Sequence, residues 1–266
     1  MKIGFIGTGN MGGALARAAA KGGHTLLLAN RTHAKAAVLA KELGGTVCPN
    51  AEAAETAELL FLGVKPQGLP GLAGELAPVL QARRGNAPVV VSMATAVTLR
   101  ELDAMLGGGL PLIRIMPNTP AAVGAGTILY AAQNVTDAQL NAFRAVLAQA
   151  GLLLPLPEAQ IDAASAISGC GPAFCFQFAD ALALGGVRAG LSYPDACRLA
   201  AQTMLGAAEM LLQGGEAPDV LKMRVCSPAG TTIEGVLALE QGGFSYTVQN
   251  AVTAAYRRTV EMTRKG

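Results

Sequence analysis

A short apolar strand, Lys2-Ile3-Gly4-Phe5-Ile6, runs straight into Gly7-Thr8-Gly9-Asn10-Met11-Gly12 and then into an alanine-rich stretch, and few patterns restrict a fold as tightly. The first glycine makes the tight turn out of the strand. The second lets the backbone come up against a diphosphate, and the third lets helix and strand pack closely. The helix N-terminus then presents free N–H groups to negative charge. After a strand and before a helix, this spacing predicts the opening unit of a doubly wound (Rossmann) parallel sheet with a dinucleotide site.

Which dinucleotide is read at the end of the second strand, Thr25-Leu26-Leu27-Leu28-Ala29, where the chain continues Asn30-Arg31-Thr32. A carboxylate there would accept a ribose 2′-hydroxyl and repel a 2′-phosphate, whereas Arg31 between two neutral polar residues suits the phosphate. No Asp or Glu precedes Glu42, while Lys2, Arg17, Lys21, Arg31, Lys35 and Lys41 all do. NADPH is the expected cofactor, with NADH retained as an alternative. The competing reading makes Arg31 and Lys35 solvated helix charges.

The chain has 266 residues, 52% of them hydrophobic and 14% charged. That length holds two domains, and the apolar surplus points to burial between subunits. A net charge of +2 gives no general attraction to nucleic acid or to a membrane surface. Cys48, Cys170, Cys175, Cys197 and Cys226 follow no metal-ligand spacing, so no metal site is expected. They read as reduced thiols of a cytoplasmic protein. The chain enters its first strand at once, which predicts no signal peptide. The most apolar stretch, Gly171 to Val187, is interrupted by Pro172, Gln177, Asp180, Gly185 and Gly186, which argues against a membrane span.

Up to residue 156 apolar runs alternate with helical stretches. The runs are Leu59–Gly63, Val89–Ser92, Leu112–Met116, Thr127–Tyr130 and Leu152–Leu156. Between them lie helix candidates such as Leu99–Leu106 and Asp137–Gln149, the latter capped by Thr136. This predicts an α/β dinucleotide-binding domain over residues 1–156. From 157 to 266 the strand signals stop and helical spacing takes over, as in Val248, Ala251, Val252, Ala255, Tyr256 and Met262. The second domain is expected to be all helical. Its segment Ala173–Arg188 carries only Asp180 and Arg188 as charges, so it should be buried on every side. About 110 residues hardly surround one helix, which favours an interlocked homodimer; a central helix in a monomeric bundle is the alternative. Gly107-Gly108-Gly109 is a loop with no assigned role.

Ligands of doubly wound sheets lie beyond the carboxyl ends of the strands. Three loops there are unusual: Gly63-Val64-Lys65-Pro66-Gln67, Ser92-Met93-Ala94-Thr95 and Met116-Pro117-Asn118-Thr119-Pro120-Ala121. Their backbone groups and small side chains can line a nicotinamide. In the helical half, Ser168-Gly169-Cys170-Gly171-Pro172-Ala173 and Cys226-Ser227-Pro228-Ala229-Gly230-Thr231-Thr232 both open helices. In the second, hydroxyls and unpaired N–H groups at a helix start suit a small carboxylate, and ordinary capping is the competing explanation.

Through the N-terminal fingerprint, Val64-Lys65-Pro66, Met116-Pro117-Asn118-Thr119-Pro120 and above all the Leu221 to Glu240 block, the chain resembles the pyrroline-5-carboxylate reductases over essentially its full length. The resemblance implies reduction of 1-pyrroline-5-carboxylate to proline with NADPH or NADH, by a homodimer that assembles in some members into a ring of dimers. It puts cofactor contacts at Ile6, Gly7, Thr8, Gly9, Asn10, Met11, Asn30, Arg31, Thr32, Asn50, Gly63, Val64, Lys65, Pro66, Met93, Ala94 and Thr95. It puts substrate contacts at Glu158, Arg224, Val225, Ser227, Gly230, Thr231 and Thr232. Against the family pattern, this chain has Ala229-Gly230 for two glycines, Cys170 for Ser, and Thr95-Ala96 for Ala-Gly. The Cβ of Ala229 restricts φ and is expected to narrow the carboxylate pocket. The family varies at the position of Arg224.

Hydride transfer to a C=N carbon asks the protein mainly for orientation, together with a proton for nitrogen. Thr232 is the expected catalytic group, hydrogen-bonded to that nitrogen. His24 and His33 both sit near the second strand, away from the substrate loops. A β-hydroxyacid dehydrogenase shares the opening pattern but would need a catalytic lysine in the second domain; Lys65 and Lys222 have no lysine between them, and Lys265 is penultimate. A cofactor-binding sensor without catalysis is the alternative of another class.

Overall fold

The glycine turn sets the chain on a regular path in the computed structural model, which describes residues 1–263. Strand β1 (Lys2–Ile6) is followed by α1 (Asn10–Ala20), β2 (Thr25–Ala29), α2 (His33–Leu43) and the short β3 (Thr46–Val47). Next come α3 (Asn50–Thr56), β4 (Leu59–Leu62), α4 (Leu69–Ala82), β5 (Val89–Ser92) and α5 (Leu99–Met105). Strands β6 (Leu112–Pro117) and β7 (Gly126–Gln133), helix α6 (Asp137–Leu147) and strand β8 (Gly151–Pro155) complete one eight-stranded sheet of order β3-β2-β1-β4-β5-β6-β7-β8. The order reverses beside β1, where doubly wound sheets take their ligand.

Strands this apolar are covered on both faces. Ile6, Leu60, Leu62 and Val90 point into one layer of core; Ile3, Phe5, Leu59, Phe61, Val89 and Val91 point into the other. Phe5 and Phe61 stack on neighbouring strands with ring centroids 4.5 Å apart. The pairings are parallel with one exception to the parallel sheet that the sequence leads one to expect: β7 runs antiparallel to β6, and β8 is parallel to β7. The cause is length. Only a short 3-10 turn at Thr119–Val123 joins β6 to β7, and a parallel return needs a crossover of a dozen or so residues.

Six helices follow: α7 (Glu158–Ser168), α8 (Gly171–Arg188), α9 (Tyr193–Gly214), α10 (Pro218–Arg224), α11 (Thr231–Gln241) and α12 (Phe244–Thr263). The chain divides into two compact units, one comprising residues 1–170 with the end of α12 from Tyr256, the other Gly171–Ala255. Helix α7 belongs to the first unit and packs against β6 and β7. In the second unit α8 packs on α9, and Phe178 lies 5.6 Å from Phe244.

Within one subunit α8 is not buried on every side, as the size argument for a homodimer anticipates. Of its residues only Ala183 is fully buried, while Phe176 is 70% exposed and Leu182, Leu184 and Val187 are also open. A helix so apolar needs a cover that the rest of this unit does not supply. The stretch Glu158–Arg188 is also long and apolar enough, by length and composition alone, to cross a membrane.

Candidate dinucleotide and substrate site

The glycine turn has the geometry its spacing predicts. Gly7 sits at φ +96°, and its N–H donates to the Ala29 carbonyl at 2.8 Å. A Cβ on Gly12 would lie 2.1 Å from the Gly7 carbonyl oxygen, and one on Gly63 would lie 2.4 Å from the same oxygen. These two glycines let α1 and the β4 loop close on the turn. A Cβ on Gly9 would meet nothing within 4 Å. The backbone there borders open space, as a position that admits a diphosphate must.

Helix α1 begins without a side-chain cap and without an acidic residue in its first turn. Its leading N–H groups therefore carry the positive end of the helix dipole uncompensated. The Thr8 hydroxyl is buried and has no hydrogen-bond partner. A buried hydroxyl with no partner is costly unless a ligand completes it. Bare glycine, uncapped helix start and orphaned hydroxyl together fit a dinucleotide phosphate.

Next to the turn a cleft is lined by Gly9, Asn10, Met11, Gly12, Gly63, Val64, Lys65, Pro66, Met93, Thr95, Met116 and Pro117. The structure thus brings together all three loops marked at the strand ends. A second cleft, between α1 and α2, is bordered by Thr8, Asn10, Arg17, Lys35 and Glu42. Here the basic surplus is smaller than the sequence implies: Arg17 makes a two-point pair with Glu42 at 2.6 and 2.7 Å. Hydrogen bonding within that pair raises the Arg17 pKa and lowers that of Glu42.

Other expected cofactor residues are placed less directly. Ile6 and Ala94 bury their side chains in the core, leaving only backbone to offer. Asn30 donates to the Thr32 carbonyl at 3.3 Å, and Asn50 donates to Glu75 at 3.1 Å. Thr32 precedes α2, which has neither a side-chain cap nor an acid in its first turn. Arg31 beside it is exposed.

On the expected substrate side, Ser227 to Thr232 make a tight local cluster. The Gly230 N–H donates to the Ser227 carbonyl at 3.1 Å, and a Cβ on Gly230 would fall 2.2 Å from the Ser227 hydroxyl. Helix α11 starts at Thr231 with no side-chain cap. Ordinary capping is therefore not what these hydroxyls do here, and the leading N–H groups of α11 remain available to an anion. Ala229 is held at φ +55°. Arg224 is committed elsewhere, in a bidentate pair with Glu216 at 2.6 and 2.7 Å. Val225 is exposed.

Glu158, the first residue of α7, accepts the Leu99 N–H at 2.7 Å and faces Arg114 at 3.4 Å. Sequence reasoning passed over Arg114, which is 3% exposed and also pairs with Asp162. The signal was present: one cation inside an otherwise apolar, fully buried strand requires a carboxylate partner. Lys265 lies outside the described residues.

A Rossmann sheet whose glycine turn fits a dinucleotide phosphate, followed by an all-helical unit, is the architecture of a dinucleotide-dependent oxidoreductase. The family model for pyrroline-5-carboxylate reductase dimerisation matches residues 158–262, and that for NADP oxidoreductase, coenzyme F420-dependent, matches residues 2–96. A pyrroline-5-carboxylate reductase from Synechocystis is 39% identical, over 100% of this chain and 99% of that protein. The solved reductase of Coxiella burnetii superposes with TM-score 0.90 at 32% identity, over 97% of each chain. That of Plasmodium falciparum, with NADP bound, gives 0.86 at 30%, over 99% of this chain and 98% of that one. The chain belongs to the pyrroline-5-carboxylate reductase family.

Proposed function

We infer that this protein reduces 1-pyrroline-5-carboxylate to L-proline with a hydride from NADPH, NADH serving as the alternative donor, in the last step of proline biosynthesis. The observation that carries this reading is that each unit holds one ligand-ready helix start of its own: α1 behind a bare glycine turn in the first, and α11 behind Ser227 and Gly230 in the second. The first suits the dinucleotide phosphates and the second a small ring carboxylate.

Bound cofactor supplies the hydride, delivered to the imine carbon. The residues do the rest. Gly9, Asn10 and Met11 hold the diphosphate through backbone N–H groups, with the Thr8 hydroxyl completing its buried hydrogen bond there. Arg31 and Thr32 take the ribose 2′-phosphate; Arg31 offers the planar donor fork that phosphate recognition favours. Val64, Lys65, Pro66, Met93 and Thr95 line the nicotinamide, with Ile6, Gly7, Gly63, Ala94, Asn30 and Asn50 shaping the surrounding backbone. Ser227, Gly230 and Thr231 grip the carboxylate, Val225 and Arg224 bound the loop, and Glu158 completes the substrate set. Thr232 hydrogen-bonds the ring nitrogen, which takes its proton from water, so no buried acid is required.

The apolar surface of α8 is read as a subunit contact in a homodimer rather than as a membrane span, because the dimerisation match covers this stretch. Assembly of dimers into a ring, a cytoplasmic location and the absence of nucleic-acid or membrane partners complete the reading. For function we keep the domain division between residues 156 and 157, one residue short of the dimerisation match, which starts at 158, although packing places α7 with the sheet.

The test is NADPH absorbance on adding 1-pyrroline-5-carboxylate. Consumption with proline as product is expected; tight NADPH binding without consumption would instead make the protein a sensor. Thr232→Ala should lower kcat about 10- to 100-fold with the NADPH Kd unchanged, and an unaltered kcat would remove Thr232 from the chemistry.

A further inference from the structure

Arg114, Met116 and Asn118 follow one another on a single face, since successive residues of an extended chain alternate and Asn118 keeps extended angles (φ −121°, ψ 167°) just past β6. The middle residue lines the cofactor cleft. The outer two grip the two ends of α7. At its start, Glu158 and Asp162 stand one turn apart on the same helix face and both pair with Arg114. At its end, the Ser168 carbonyl, which no further turn of helix can satisfy, accepts the Asn118 side-chain N–H at 2.8 Å. The other side of the Asn118 amide accepts the Thr127 N–H at 2.8 Å, which fixes its orientation.

Glu158 reaches one element further. The oxygen that faces Arg114 also takes the Leu99 N–H at 2.7 Å. Leu99 closes the loop that begins at Met93, and Met93 and Thr95 are walls of the cleft. Arg114 is almost wholly buried and its guanidinium spans the two carboxylates, so removing it frees Glu158 from its only cationic neighbour among the described residues.

We propose that Arg114 is a positioning residue: it holds the Glu158 carboxylate on the Leu99 N–H and, through that bond, sets the Met93–Thr98 wall of the nicotinamide cleft, while Asn118 locks the far end of α7. The proposal rests on the reductase reading for its kinetic consequence and on the geometry alone for its structural one. Asp162 holds the other prong of Arg114, so the brace has a fixed point independent of substrate.

Two measurements decide it. In Arg114→Met without cofactor, amide hydrogen exchange at Leu99 and across 93–98 should accelerate at least ~10-fold, with the strands of the sheet unchanged. In steady-state kinetics kcat should fall ~10- to 100-fold, while the Kd for NADPH, set by the glycine turn, moves by less than ~3-fold. Arg114→Lys, which retains the charge for Asp162 but offers no second prong to Glu158, should fold with the wild-type Tm and fall between. The double variant Arg114→Met/Glu158→Ala should match Glu158→Ala within ~2-fold, because the two act in series. Wild-type exchange at Leu99 in Arg114→Met, or losses that multiply in the double variant, would overturn the proposal. If the unmodified protein fails to consume NADPH with the imine, the functional reading falls and the exchange result still decides the brace.

Discussion

Two glycines of one turn make opposite demands, and substitution separates them. Gly12→Ala drives a methyl into the Gly7 carbonyl, a backbone atom that cannot swing aside. Equilibrium denaturation should show a loss of about 2–3 kcal/mol. Gly9→Ala adds a methyl to open space at an ordinary φ of −70°. It should leave the denaturation curve unchanged and weaken NADPH binding ~10-fold or more, read by quenching of bound cofactor fluorescence. The spacing of these glycines made their roles legible before any coordinates. The departures Ala96 and Ala229 were legible too, and both prove to stand at positive φ, +63° and +55°. A left-handed alanine costs about 1–2 kcal/mol, part of which glycine returns to the unfolded chain. Ala96→Gly and Ala229→Gly should each raise stability by about 0.5–1 kcal/mol, measured by urea midpoints. The partners of Arg114 were not legible, since Glu158 and Asp162 lie 44 and 48 positions along the chain and only folding selects them.

Most strands declared themselves because a fully buried parallel strand is an uninterrupted apolar run, as at Val89–Ser92. Direction did not: the Thr127–Tyr130 run says nothing about which way it pairs, and only the short connection from β6 makes β7 antiparallel. Helix starts were readable where capping chemistry is local. Thr136 caps α6 with Gln139 in a reciprocal box, and Thr98 does the same for α5 with Glu101. Hydrogen bonds from the Thr98 backbone and side chain hold the Glu101 pKa below its ordinary value. An acid stabilised in its charged form contributes above its unfolded pKa, and that contribution is lost as pH falls through the folded one. Glu101→Gln should therefore lower stability at pH 6, where the carboxylate is charged, and change it little at pH 3, which flattens the acid limb below about pH 4.5; urea midpoints at the two values check this. Helix α4 carries Pro70 in its first turn, where proline is tolerated, and Gly71, Gly74 and Pro78 beyond it, so its local sequence signals a helix only weakly.

Two architectures meet in this chain, and they differ in how far one copy can finish them. The sheet closes its own core on both faces. The helical unit leaves Phe176, Leu184, Leu199, Leu205 and Tyr246 uncovered, and a groove lined by Phe174, Phe178, Leu239, Phe244 and Val248 is almost entirely apolar. Phe176→Glu should weaken self-association at least ~10-fold in sedimentation equilibrium, because a charge moved from water to an apolar contact finds no partner. The apolar run and the small size of the helical half already pointed to cover from a second copy; the fold adds which side chains of α8 stay open, Phe176 above all. The exposed flank of α8 has a thermodynamic corollary. Association enters the melting equilibrium by mass action, so diluting the protein should lower the temperature at which the helical half unravels while the nucleotide-binding half melts as before. A freshly translated chain would thus stay vulnerable to proteases until it meets its twin, and the rate of synthesis would help decide how many copies survive.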